Sequence, residues 1–196
     1  MRDVRAFIAI NLPEDIIQRL GNQIEMISDL VPQGLVRWVR EKNIHLTLKF
    51  LGNVVSNDLD EITKSMRHIA TRHAAFQFDV ASFGCFPDIQ SPRTLWIDLR
   101  EPNGTLLRLQ SDLEDGLEGL GFSRERRKFH PHLTIGRVKR HVRRNELSDL
   151  AQHLRQVKVG NIGTVQVSEI ALMRSDLHPT GAVYSQIAVA NLKEIV

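Results

Sequence analysis

The stretches His45–Phe50, HLTLKF, and His132–Arg137, HLTIGR, write one phrase twice, His-Leu-Thr-aliphatic, in a chain of 196 residues. With eight His and eight Thr available, composition alone predicts about 0.3 His-x-Thr matches. A third match, His178-Pro179-Thr180, has proline at its centre and Gly181 after it, which is the chemistry of a turn rather than of a central strand. The other two lie in apolar runs, 44–51 and 131–138, that read as strands. Period-two alternation places His45 and Thr47 on one face, with Leu46, Leu48 and Phe50 on the other. His132 and Thr134 likewise share a face opposite Leu133 and Ile135. Each strand anchors one face in a core and offers an imidazole beside a hydroxyl on the other.

Working outward, the same order of elements recurs around each motif. Arg5–Ile10 (RAFIAI) reads as a strand. Pro13 then opens a helix with Ile16, Ile17, Leu20, Ile24, Ile27 and Leu30 at helical spacing. The first motif strand follows, then a helix capped by Asn57 with Leu59, Ile62, Met66 and Ile69, then a strand over Phe76–Phe83. The second pass runs through a strand at Thr94–Leu99, a helix from about Asn103 with leucines 106, 109, 113, 117 and 120, and the second motif strand. A helix behind Asn145 and strands at Thr164–Met173 and Ala182–Ala190 complete it. Equivalent positions keep a near-constant offset: His45 and His132 are 87 residues apart, Phe7 and Trp96 89. This predicts a single two-lobed domain over 1–196, with halves at roughly 5–90 and 93–190. A pseudo-twofold between them brings both histidines and both threonines to one site.

Composition narrows the setting. A chain 42% hydrophobic can bury a real core. Cys85 is the only cysteine, which excludes an internal disulfide and suits a reducing, cytoplasmic compartment. The first apolar run is too short for a signal peptide's hydrophobic region and meets Pro13 at once, and no stretch has the roughly 20 apolar residues that span a bilayer. A net charge of +3 conceals a segment, 124–144, with nine basic residues against Glu125 alone, a local +8 that favours an anionic partner over a merely solvated loop.

Two histidines suit a displacement in which one oxygen loses a proton while another gains one. Threonine hydroxyls donate without being good bases, so the matched pair suits an anion between the imidazoles. A phosphate ester attacked by water on one side and losing an alkoxide on the other has that form. Arg137 could offset charge on the equatorial oxygens. Strict alternation points it away from His132, but Gly136 permits a bulge that would redirect it. The spacing fits neither a four-ligand zinc site nor an H-E-x-x-H helix, so neither a metal nor another cofactor is expected.

HLTLKFLG and PHLTIGR, together with RAFIAINLP, VRWVREKNIHLTLKFLG and LMRSDLHPTGAVY, strongly resemble the two-histidine (2H) phosphoesterase superfamily. Within it they are similar to the bacterial and archaeal RNA 2′,3′-cyclic phosphodiesterases, also called 2′-5′ RNA ligases. The resemblance runs from about Arg5 to Val189. It implies an α+β, bilobal fold in which two antiparallel sheets flank a central cleft with helices outside. It also implies metal-independent opening of a terminal RNA 2′,3′-cyclic phosphate to a 2′-phosphate, together with reversible 2′-5′ RNA ligation, in which a 5′-hydroxyl takes the place of water. On that resemblance His45 is the proton donor, His132 the proton acceptor, Thr47 and Thr134 phosphate ligands, and Arg137 a basic ligand. His130 reads as rim or structural, and His178 as part of a loop. Phe7 is a candidate wall for a terminal base, with Trp96 a weaker one. The implied partner is RNA ending in a 2′,3′-cyclic phosphate, tRNA fragments included, taken by a monomer without a membrane. Two rival readings are a small cyclic nucleotide or metabolite phosphate as substrate, and a binding module without turnover.

Overall fold

Wherever apolar residues fall every second or every third to fourth position, the chain forms strands and helices in the order expected, with one strand added and one expected strand divided in two. The computed structural model describes residues 3–179 and 181–194. The strands are β1 (Asp3–Ile10), β2 (Val36–Trp38), β3 (Leu46–Val55), β4 (Phe76–Phe86), β5 (Thr94–Arg100), β6 (His132–Val138), β7 (Asn161–Val167), β8 (Glu169–His178) and β9 (Gly181–Asn191). The helices are α1 (Glu14–Leu30), α2 (Leu59–Ala70), α3 (Thr105–Glu118) and α4 (Arg144–Leu154), with single 3-10 turns at Glu41–Asn43 and Ser56–Asp58.

Each helix has a local cause. The carbonyl of Pro13 accepts the first α1 bond, from the Ile17 N–H at 3.0 Å, and Glu14 and Asp15 complement the helix dipole. Helix α1 buries Ile16, Leu20, Ile24 and Ile27, whereas Leu30 is exposed. Helix α2 starts behind the Ser56–Asp58 turn with Asp58 at its N-cap, one residue beyond the Asn57 cap expected. At α4 the Glu146 carboxylate reaches back to the Arg143 N–H at 2.7 Å. No helix among the described residues is long and apolar enough to cross a membrane.

The fold is α+β, with one nine-stranded sheet in the order β7-β4-β5-β6-β3-β1-β8-β9, and β2 added on β6. Every ladder between these strands is antiparallel. The two expected sheets are therefore joined, but only just: β3 and β6 meet at one pair, Leu46 with Leu133. The apolar stripes of the helices and one face of the sheet form a common core. Each Leu or Ile buried there contributes roughly 1.5–3 kcal/mol.

Sequence halves and spatial halves differ. β4, from the first half, pairs with β5 and β7, whereas β8 and β9, from the second, extend the sheet beyond β1. The run 164–173 is not one strand: it breaks at Ser168, and β7 and β8 depart to opposite sides of the sheet. Strand β2, unforeseen in the sequence, is admitted because residue 136 is glycine. A Cβ there would stand 2.8 Å from Val36 Cγ1.

Three extra residues in the ladders of the two motif strands reset their alternation. Against β1, strand β3 pairs Ala9 with Thr47 but Ile8 with Lys49, and Phe7 with Phe50 but Ala6 with Gly52, so Leu48 and Leu51 are bulged. Lys49 consequently points into the core and Phe50 away from it, the reverse of the strict reading. In β6, Ile135 is the extra residue opposite Leu95 and Trp96 of β5. The turned-in Lys49 Nζ pairs with the Glu114 carboxylate of α3 and donates to the Ser123 carbonyl at 3.0 Å. Gln110 Nε2 and the Glu125 N–H supply Glu114 with further bonds, at 3.0 and 3.1 Å. This ion pair, nearly inaccessible on both sides, ties the first motif strand to α3 and to the connection that leads into the second motif.

Candidate active site

Leu46 and Leu133 are both buried, so the residues flanking them face the other way. Continuing their register one residue to each side sets His45 across from Thr134, and Thr47 across from His132. All four are partly accessible. The structure thus brings both imidazoles and both hydroxyls to one face, at the junction of the two lobes.

The histidines are held alike. His45 Nδ1 lies 2.9 Å from the Asn43 carbonyl, and His132 Nδ1 lies 2.7 Å from the His130 carbonyl. A carbonyl only accepts, so each Nδ1 carries the hydrogen and each Nε2 remains for proton exchange. Asn43 is itself anchored, donating from Nδ2 to the Ala182 carbonyl of β9 at 2.8 Å.

Aromatic rings back each imidazole. His45 stacks on Phe7 at 4.7 Å and meets the edge of Tyr184 at 5.1 Å. His132 meets Phe86 at 4.9 Å and Trp96 at 6.3 Å. Trp96 lies over Gly84, where a Cβ would come within 2.2 Å of the indole. Phe7 is only 3% exposed. With His45 on it, the ring has no open side for a nucleobase, so it serves as a wall behind the imidazole rather than as the base platform expected. Trp96 is likewise engaged by Phe86 at 5.0 Å and His130 at 4.9 Å.

Burial lowers the His45 imidazole to about 4, with the hydrogen bond to the Asn43 carbonyl pulling the other way. His132 is also lowered, chiefly by burial, with the charges of His130 and Arg137 acting in the same direction. The His130 carbonyl and Asp98 oppose them. At neutral pH both imidazoles are therefore uncharged. Between the ordinary histidine value of 6.5 and about 4 the unfolded chain binds a proton at position 45 that the folded chain refuses. Stability rises with pH across that window and is lost as pH falls through it, by up to about 3 kcal/mol. Urea denaturation across this range should show a shallower pH dependence for His45→Ala than for the parent protein. An equal slope would show that position 45 is not the group responsible.

Arg137 reaches the site by the bulge. With Ile135 extra, Arg137 pairs with Thr94, which shares a face of β5 with Trp96 and Asp98, and its Nη1 donates to Thr94 Oγ1 at 3.3 Å. Arg37 of β2 is its direct partner across the ladder. Like charges so placed repel, an arrangement that a bound anion would relieve. His130 Nε2 stands 3.8 Å from Asp98 Oδ1, and His130 orients His132 through its carbonyl. Sequence reasoning missed Arg37, Asn43, Phe86, Asp98 and Tyr184 as parts of the site. Tyr184 ends the quoted LMRSDLHPTGAVY, the one available signal. His178 closes the β8–β9 hairpin opposite Gly181, and Thr180 of the third His-x-Thr lies outside the described residues.

Surface pockets of about 240 Å³, beside Asn11 and Ser168, and about 270 Å³, beside Arg19 and Gly160, lie away from the histidines. Neither contains a residue of the motifs. Among the described residues no group of three or more His, Cys, Asp or Glu is placed to hold a metal ion.

Residues 13–179 match the profile of the 2′-5′ RNA ligase superfamily, and the chain belongs to that family. It is 34% identical over 191 residues to an RNA 2′,3′-cyclic phosphodiesterase of Methanothermobacter thermautotrophicus, covering 96% of this chain and 99% of the relative. A protein of the same description from Thermotoga maritima is 35% identical over 182 residues, covering 92% and 91%. A solved Thermus thermophilus protein superposes with TM-score 0.77 at 26% identity, covering 97% and 98%. Escherichia coli LigT complexed with 3′-AMP does so with TM-score 0.76 at 24% identity, covering 97% and 98%.

Proposed function

We propose that the protein is an RNA 2′,3′-cyclic phosphodiesterase that opens the terminal ring to a 2′-phosphate. The observation that carries this is the matched pair of imidazoles on one face, each with Nδ1 committed to a carbonyl, each with Nε2 available, and each across from the other motif's threonine. The relatives' shared description supports the substrate. His132 Nε2 takes a proton from water as its oxygen bonds to phosphorus. The bond to the 3′ oxygen breaks, and that oxygen receives a proton from His45 Nε2. Thr47, Thr134 and Arg137 hold the non-bridging oxygens. His45 must be protonated for this, and the phosphate's negative charge beside it raises a pKa that burial has lowered. With the 5′-hydroxyl of a second RNA end in place of water, the same forward steps form a 2′-5′ linkage: its oxygen bonds to phosphorus, His132 takes its proton, and the 3′ oxygen leaves with a proton from His45.

The exposed Arg126, Arg127 and Lys128, on the connection into His132, favour a polymer over a small cyclic phosphate. RNA ends of this kind, tRNA fragments among them, are the proposed substrates, and one chain supplies both histidines. The test is incubation of purified protein with an oligoribonucleotide ending in a 2′,3′-cyclic phosphate, in excess EDTA, with the product resolved as 2′- or 3′-phosphate. Conversion to the 2′-phosphate is expected. An intact ring, a 3′-phosphate product, or activity that appears only on adding a divalent metal would overturn the reading.

A further inference from the structure

Across β6 the site face is a series of facing pairs. Thr47 stands opposite His132, His45 opposite Thr134, and Arg37 opposite Arg137. The pairs on either side of the arginines, Val36 with Val138 and Trp38 with Gly136, turn the other way: Val36 is buried, and Trp38 and Val138 pack against the core. Alternation therefore puts both arginines on the histidine face. Strand β2 takes the place beside β6 that β3 leaves, with the Val39 N–H donating to the Ile135 carbonyl at 2.9 Å. Arg37 and His45 thus stand on the same flank of β6. With Ile135 extra, the arginine pair follows the His45–Thr134 pair by two pleat positions, about 7 Å along the strand.

Two guanidinium groups side by side in a ladder repel. Both residues are exposed, and among the described residues neither forms an ion pair with a carboxylate. Arg137 donates to a neutral hydroxyl, Thr94 Oγ1. A cyclic phosphate is a diester and carries one negative charge. One guanidinium matches it, and the other is left for a second anion.

In the proposed reaction the 3′ oxygen leaves toward His45 and water enters from His132, which puts the terminal ribose on the His45 flank. The 5′ carbon of that ribose carries the next phosphate of the chain, one sugar away from the reacting phosphorus. A long side chain rooted one row beyond His45, on that same flank, covers the distance. We infer that Arg37 binds the phosphodiester on the 5′ side of the terminal nucleotide, a second phosphate subsite beside the reacting one. This rests on the cyclic phosphate of an RNA end lying between the two imidazoles. A phosphate contact carries no base preference, so the subsite accepts any sequence and favours a chain end over a nucleoside cyclic phosphate that has no 5′ phosphate.

Calorimetric titration of adenosine 2′-monophosphate and adenosine 2′,5′-bisphosphate into the full chain and its Arg37 variants tests this without turnover. The readout is the ratio of the two dissociation constants. The parent protein should bind the bisphosphate roughly 3- to 30-fold more tightly at low salt. Arg37→Gln should bring the ratio close to unity, and Arg37→Lys, which keeps the charge and loses the planar fork, should retain part of it. Circular dichroism establishes that each variant is folded. A parent ratio of unity, or a ratio unchanged in Arg37→Gln, would overturn the inference. Equal losses for both ligands would overturn it too, since Arg37 would then serve the reacting phosphate. A parent protein whose preference for the bisphosphate depends on Arg37, yet which never opens a cyclic phosphate, would remove the hydrolase reading and leave the subsite standing.

Discussion

His45→Ala and His132→Ala each lower kcat/KM on a cyclic-phosphate-ended RNA by roughly 10²- to 10⁴-fold while the protein stays folded, and the double variant is little worse than either alone. Non-additivity follows from the two imidazoles serving one displacement: once either proton transfer is lost, the other no longer acts on a productive geometry. The pH profiles carry the same signature. His45 has to be protonated and His132 neutral, so each profile is a bell. Burial lowers both imidazoles in the free protein, His45 to about 4, so the kcat/KM profile, which reports the free protein, lies toward acid pH. Bound phosphate stabilises imidazolium, so the kcat profile, which reports the complex, is displaced to higher pH. Steady-state kinetics from pH 4 to 9 measure both. Near-parental turnover in either single variant, or coincident profiles, would remove the acid–base pair.

Lys49→Met costs about 3–5 kcal/mol, because it leaves the Glu114 carboxylate buried without its cation. At about 2–4 °C per kcal/mol for a domain of this size, the melting temperature falls by roughly 6–20 °C. Removing both charges in Lys49→Met, Glu114→Gln should recover much of the loss, since no uncompensated charge remains. A scanning-calorimetry shift below about 2 °C for Lys49→Met would contradict the burial described for this pair.

The duplicated motif was legible because both copies combine a polar pair with aliphatic neighbours that need a core, and the register at Leu46 and Leu133 carries that logic into space. Helix positions were legible for the same reason. Phe50 and Lys49 were not. Counting by twos assigns them wrongly, because the bulges fall on Leu48 and Leu51, residues with no turn chemistry to announce them. Arg137 was half legible: Gly136 suggested an irregularity, but the extra residue is Ile135. The capping of each Nδ1 by a carbonyl two residues earlier has no side-chain signature at all. Nor has the crossing of β4 and β8, since alternation shows that a strand exists and not which neighbour it takes. Phe7 was on the predicted face, but its burial under His45 depends on how the rings pack, which periodicity does not encode.

That crossing sets a schedule for the nascent chain. As residues leave the ribosome, β1 and β3 can pair early, yet the outer edge of β1 stays bare until β8 arrives, since Ala6 pairs with Arg174. β4 must likewise wait for β5 and then β7. An unpaired edge held open through most of synthesis is a template for the wrong strand. A polypeptide cut between the halves would leave both fragments with such an edge, so mixed fragments should regain the histidine site only by exchanging strands with each other.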